Sequence, residues 1–109
     1  MAIKITVSDK VRVKVAGTIA DAAGPQPFEF SFLAKRLNAD ELRGRLDESN
    51  ETTVSAFLAE LIDGWAGVRG DSGDIPYSAD ALQQLLLIPG LAMLMFRQYL
   101  TDCGARAKN

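Results

Sequence analysis

The chain has 109 residues, no histidine, one cysteine and a formal net charge of −2. That length fits one domain with a core of its own and no need of metals or disulfides. The charge balance argues against a nucleic-acid binder, which needs clustered Lys and Arg to neutralise phosphates. The lack of histidine removes the commonest general base and the commonest transition-metal ligand.

The first third reads as strands. Ile3, Ile5 and Val7 alternate with Lys4, Thr6 and Ser8, and Val11, Val13 and Val15 alternate with Arg12, Lys14 and Ala16. Period two with β-branched residues means half-buried strands, either one bent strand or a hairpin at Ser8–Lys10. Gly17-Thr18-Ile19 extends the second run. Asp21 to Pro27, with two prolines and a glycine, reads as a loop. Phe28, Phe30 and Phe32 then give a further strand. Lys4, Lys10, Arg12 and Lys14 share the polar face, which reads either as a surface for an acidic partner or, in preference, as a solvated strand face whose lysines discourage edge-to-edge pairing.

The remainder reads as helices. Asn38 with Glu41 makes a capping box ahead of Leu42 and Leu46. Asp47 to Thr52 is a polar connection, and Thr52 or Thr53 caps the next helix. In that helix Val54, Phe57, Leu58, Leu61, Ile62 and Trp65 recur at i, i+3, i+4, i+7, i+8 and i+11, so Trp65 is expected to end the stripe as a core anchor. Gly64 and Gly67 permit left-handed backbone that stops the helix. Asp71 to Asp74 is turn chemistry, and Pro76 keeps Ile75 out of a helix. Ser78 is the expected N-cap of a short helix with Leu82, Leu85 and Leu86 inside. Pro89-Gly90 breaks the chain again, with Pro89 placed in the first turn of the last helix.

These elements define an α+β fold. A small N-terminal antiparallel sheet of about three strands packs with about four helices in the C-terminal two-thirds. One domain spans 1–109: a β-rich part over 1–34, a helical part over 38–104 and a frayed tail over 105–109. The start of the chain lacks the apolar core of a signal peptide, and Leu85 to Phe96 is too short, and too broken by Pro89, to span a bilayer. A soluble cytoplasmic protein without nucleic-acid or membrane partners is expected.

The motif positions carry no catalytic constellation. Cys103 has no histidine to activate it. Asp71 and Asp74 lack the further acids of a calcium loop. The glycines at 64, 67, 70 and 73 follow a helix rather than a strand, against a phosphate loop. No cofactor or metal is expected. The last helix is apolar almost all round over Leu91 to Phe96. Ala92, Met95, Phe96 and Tyr99 form one stripe for the core, which leaves a partner surface expected around Leu91, Met93, Leu94, Phe96 and Arg97. The partner would be a helical client or a second copy in a homo-oligomer.

The ordered set Trp65, Gly67, Val68, Gly73, Pro76, Tyr77, Ser78, Leu82, Leu85, Leu86, Pro89 and Gly90 resembles the tail assembly chaperones of long-tailed bacteriophages and prophages. The match is dense over the C-terminal half only. The resemblance implies a non-enzymatic protein of the bacterial host cytoplasm, absent from the mature virion. It would bind the tape measure protein and help to recruit tail tube subunits. It also implies a longer frameshifted product, and Ala107-Lys108-Asn109 permits the slippery codons GCA-AAA-AAC. Two other classes compete: a small winged-helix-like transcriptional regulator, disfavoured by the acidic balance, and a cofactor-free enzyme built on carboxylates.

Overall fold

The computed structural model describes residues 9–46, 51–70 and 73–104. The expected first strand at Ile3–Val7, the 105–109 tail, most of the polar connection after Leu46 and the Asp71–Ser72 pair lie outside the described residues.

Two long strands form the base. β1 (Lys10–Asp21) pairs antiparallel with β2 (Gly24–Lys35) without a break, from Lys10↔Lys35 to Asp21↔Gly24. Val11, Val13 and Val15 on β1 and Phe30, Phe32 and Ala34 on β2 are buried, as period two requires. The stretch Asp21 to Pro27 is therefore a hairpin end rather than a loop. Ala22-Ala23 makes the turn, Asp21 Oδ1 accepts from the Ala22 N–H at 2.6 Å, and Gly24 takes φ +117°. Asp at the first turn position and Gly at the fourth is type I turn chemistry.

The prolines have a place in this ladder. The Arg36 N–H donates to the Asp9 carbonyl at 2.7 Å, so odd residues of β1 exchange hydrogen bonds with even residues of β2. Pro25 and Pro27 then stand at positions whose nitrogens face away from β1, where no ladder donor is needed. They blunt the outer edge of β2 where no third strand covers it.

α1 (Ala39–Leu46) opens on the expected capping box. The Glu41 N–H donates to Asn38 Oδ1 at 2.9 Å, and the Asn38 N–H donates to Glu41 Oε1 at 3.1 Å. α2 (Glu51–Leu61) starts ahead of Thr52 and Thr53 and buries Val54, Phe57, Leu58 and Leu61. It ends four residues earlier than the stripe implies. Ile62 to Ala66 is β3, antiparallel to β2 over Ser31–Ala34, with a bulge at Leu33/Ala34. Backbone donors and acceptors on the edge of β2 outcompete one more turn of helix. The sheet order is β1-β2-β3.

A two-strand ribbon follows, β4 (Arg69–Gly70) with β5 (Gly73–Asp74), its ends joined by an Arg69–Asp74 ion pair at 3.0 Å. α3 (Ala79–Leu86) is capped by Ser78, whose Oγ accepts from the Ala81 N–H at 3.1 Å. α4 (Leu91–Cys103) leaves α3 at a bend of 106°. Pro89 precedes this helix rather than occupying its first turn, and Gly90 is the N-cap at φ +80°.

The helices cover one face of the sheet. α4 lies on β1 and packs against α2, where Phe57 meets Phe96 edge-on at 5.5 Å and Tyr99 at 6.1 Å. The other face, with Lys10, Arg12, Lys14 and Lys35, is exposed. Among the described residues no single helix is long and apolar enough to cross a membrane.

Candidate functional site

The residues of the Trp-to-Gly motif build one corner of the molecule. Trp65 stands on β3, half-buried at the margin of the core and not at its centre. Its Nε1–H donates to the Ile75 carbonyl at 2.8 Å, and its ring meets Tyr77 edge-on at 5.2 Å. The Tyr77 hydroxyl donates to the Ile62 carbonyl at 2.8 Å. Gly67 takes φ +85° against the Phe30 backbone, but it follows β3 and does not stop the helix, which ends at Leu61, and Gly64 does not adopt positive φ. Pro76, exposed, lies between these anchors and the Ser78 cap. Together they tie the segment leading into α3 to β3, while α3 itself packs on α2 and α4.

The α3–α4 corner at Pro89 and Gly90 faces the far half of the hairpin. The apolar stripe on the helix side of β1 runs on past Val15 through Gly17 to Ile19, and that of β2 begins at Phe28. The helical layer stops short of its end. Phe28 is half-buried and Ile19 is 39% exposed. A cleft of about 230 Å³ lies between Thr18, Ile19 and Phe28 on one side and Ile88, Pro89, Gly90, Leu91 and Leu94 on the other. A second lobe of about 190 Å³ shares Ile19, Phe28, Ile88 and Leu91 and reaches Val68 and Leu85, with Glu29 and Arg69 at its lining. Gly17 shapes the floor. A Cβ there would stand 3.1 Å from the Phe28 ring and 3.2 Å from Leu94. No charged residue lines the larger lobe, and the sequence carries no charge from Ala81 to Phe96.

The expected partner residues divide. Leu91 and Phe96 are buried in the chain's own core, although Leu91 also borders the cleft. Met93 and Leu94 are half-buried, and Arg97 is exposed. Leu94 lines the cleft, so the surface left to a partner is Met93, Leu94 and Arg97 together with hairpin residues that helix periodicity could not supply. Ile19 and Phe28 were visible only as strand alternation continuing beyond what the helices can cover. Leu87, 79% exposed at the C-cap of α3, is the most exposed large apolar residue among those described.

The polar face of the sheet is partly neutralised. Lys10 pairs with Asp63, and Lys14 pairs with Glu29 at 3.3 Å. One polar cluster lies at the far end of α4. The Tyr99 hydroxyl donates to the Lys35 carbonyl at 2.7 Å, Arg36 Nη1 donates to the Cys103 carbonyl at 3.0 Å, and the Cys103 thiol lies 3.7 Å from the Leu37 carbonyl. Burial, with the neighbouring Cys103, raises the Tyr99 phenol well above its usual range. These contacts bind α4 to the end of β2. No family model, curated protein or solved structure matches the chain.

Proposed function

We propose that the chain is a tail assembly chaperone of the long-tailed phage type, a non-enzymatic protein that holds the tape measure protein until tail tube subunits assemble around it. The supporting observation is that residues of the stretch carrying the family resemblance, Trp65 to Gly90, line one wall of an apolar cleft open to solvent, whose larger lobe is uncharged. Apolar surface of this kind, flanked by a β-hairpin and a helix corner, suits the apolar stripe of a client helix. A helix laid on Ile19 and Phe28 would continue the layer that α4 begins. Leu94 at its flank and Met93 nearby adapt to clients in several registers.

Co-expression with the adjacent tape measure protein tests this. The two co-purify, and Ile19→Asp abolishes the complex while the circular dichroism spectrum is unchanged. Failure of the wild-type chain to retain the tape measure protein in this assay refutes the reading.

A further inference from the structure

We infer that the open face of the sheet is a docking surface for an acidic segment of a partner protein, held chiefly by Arg12. On this face β1 sets Lys10, Arg12 and Lys14 at successive turns of its alternation, about 7 Å apart. Lys35 of β2 stands directly opposite Lys10. Odd residues of β1 exchange the ladder hydrogen bonds, so Lys10 and Lys35 form the other kind of pair, in which side chains stand closest. Like charges set opposite each other in this way destabilise the sheet, so the fold alone gives no reason for them.

The face carries a positive surplus. Asp63 offsets Lys10, and Glu29 offsets Lys14. Among the described residues no acid lies within ion-pair distance of Arg12 or Lys35. The sheet thus concentrates unbalanced positive charge in a chain whose formal net charge is −2. Blunting of the β1 edge accounts for lysines. It does not call for an arginine, whose planar fork grips a carboxylate through two parallel N–H···O bonds.

Shape agrees with charge. Arg12 and Lys14 border an open hollow of about 340 Å³ that reaches Ser31, Ala66 and Gly67. On the β3 side of this face Gly64 and Ala66 lie opposite Leu33 and Ser31, so no long side chain fills the hollow from there. An extended segment repeats its alternate side chains at the same spacing of about 7 Å, which brings acids at alternate positions into register with Lys10, Arg12 and Lys14. A nucleic acid fits less well, because its phosphates would also meet Asp63 and Glu29. The helices cover the opposite face, so the inference does not rest on the function proposed above, and the surface stays open when the apolar cleft is filled.

Fluorescence anisotropy at low salt, with a rhodamine-labelled peptide of alternating Glu and Ala, tests the surface. The wild-type chain binds the peptide, binding weakens as salt rises, and the counterpart of alternating Gln and Ala does not bind. Arg12→Glu weakens binding by about tenfold or more, since an attraction is lost and a repulsion added. Its melting temperature does not fall, because the new carboxylate lies between Lys10 and Lys14. Glu29→Gln releases Lys14 without touching Arg12 and strengthens binding by about two- to fivefold. A wild type that does not bind the peptide, a Gln peptide that binds equally, an Arg12→Glu chain that binds as the wild type does, or a Glu29→Gln chain that binds no more tightly overturns the inference. Tighter binding of a single-stranded DNA oligomer of equal charge also overturns it and assigns the face to nucleic acid. Each of these results leaves the client assay free to succeed or fail by itself.

Discussion

The Trp65 indole donates to the Ile75 carbonyl at 2.8 Å, and this bond closes the excursion that carries the β4–β5 ribbon. The Tyr77 hydroxyl, two residues on, returns to the Ile62 carbonyl on the same strand as Trp65. The two bonds cross-brace β3 to the segment leading into α3. Trp65→Phe keeps most of the ring packing against Tyr77 and loses the donor, at a cost of about 1 kcal/mol. Trp65→Ala also removes the ring. Because the ring is only half-buried, its loss costs about 2–3 kcal/mol, less than the 3–5 of a fully enclosed aromatic. Urea unfolding of both variants measures the difference. Equal losses would mean that the indole N–H contributes nothing.

The same residue shows where sequence reading reached its limit. Val54, Phe57, Leu58 and Leu61 make a true helical stripe, and Ile62 and Trp65 continue its period by coincidence. What ends the helix is the edge of β2, an acceptor of hydrogen bonds from a strand remote in sequence. Periodicity within a window cannot register it. The hairpin was more legible. Alternation marks Val11 to Val15 and Phe28 to Phe32, but the two prolines disguised the outer edge of β2 as a loop. The Asn38 capping box and the Ser78 cap, whose partners lie within three residues, were readable outright. The cleft was half readable. Leu94 came from crowding on α4, while Ile19 and Phe28 needed the hairpin and the corner to be placed together.

Gly67 turns the chain at the end of β3. Its φ of +85° is strained for any L side chain, and an added Cβ would stand 3.3 Å from the Phe30 Cα, which is backbone and cannot move aside. Gly67→Ala is expected to cost about 1–3 kcal/mol. Gly44→Ala supplies the contrast. Gly44 lies within α1 with open space around its Cβ position, so alanine there stabilises by up to about 1 kcal/mol. Thermal melts of the two variants should move in opposite directions.

Tyr99 gives the fold a pH dependence of known sign. Its folded-state pKa is raised above the ordinary value near 10, so the native state keeps the proton where the unfolded chain loses it. The stabilisation is complete below about pH 10 and declines above it, by at most about 1.4 kcal/mol per pH unit from this group. Lysines titrate in the same range, so the useful quantity is the difference between the wild type and Tyr99→Phe. That variant gives up the bond to the Lys35 carbonyl and costs about 1 kcal/mol at neutral pH. The gap in stability between the two should narrow as pH rises from 9 to 11. A constant gap across that range would show that the phenol ionises equally in both states.

The last helix separates core from surface within six residues. Phe96 is 2% exposed and meets Phe57 edge-on at 5.5 Å, and Leu91 is 4% exposed. A carboxylate at either position is buried without a partner, so Phe96→Asp and Leu91→Asp are expected to unfold the domain. Met93 and Leu94 lie one turn from these residues and are half-buried. Met93→Asp leaves its charge in reach of water and costs about 1 kcal/mol or less. Leu94→Asp costs more, about 1–2 kcal/mol, because Leu94 touches the floor of the cleft beside Gly17. Both should keep the helical circular dichroism signal and weaken association with a helical client, Leu94→Asp the more strongly. The decisive comparison is melting temperature against client retention, measured on the same preparations. If Leu94→Asp retains the client as well as the wild type does, the cleft is not where the client sits. If it melts with Phe96→Asp, Leu94 belongs to the core and the exposed wall of the cleft begins at the hairpin.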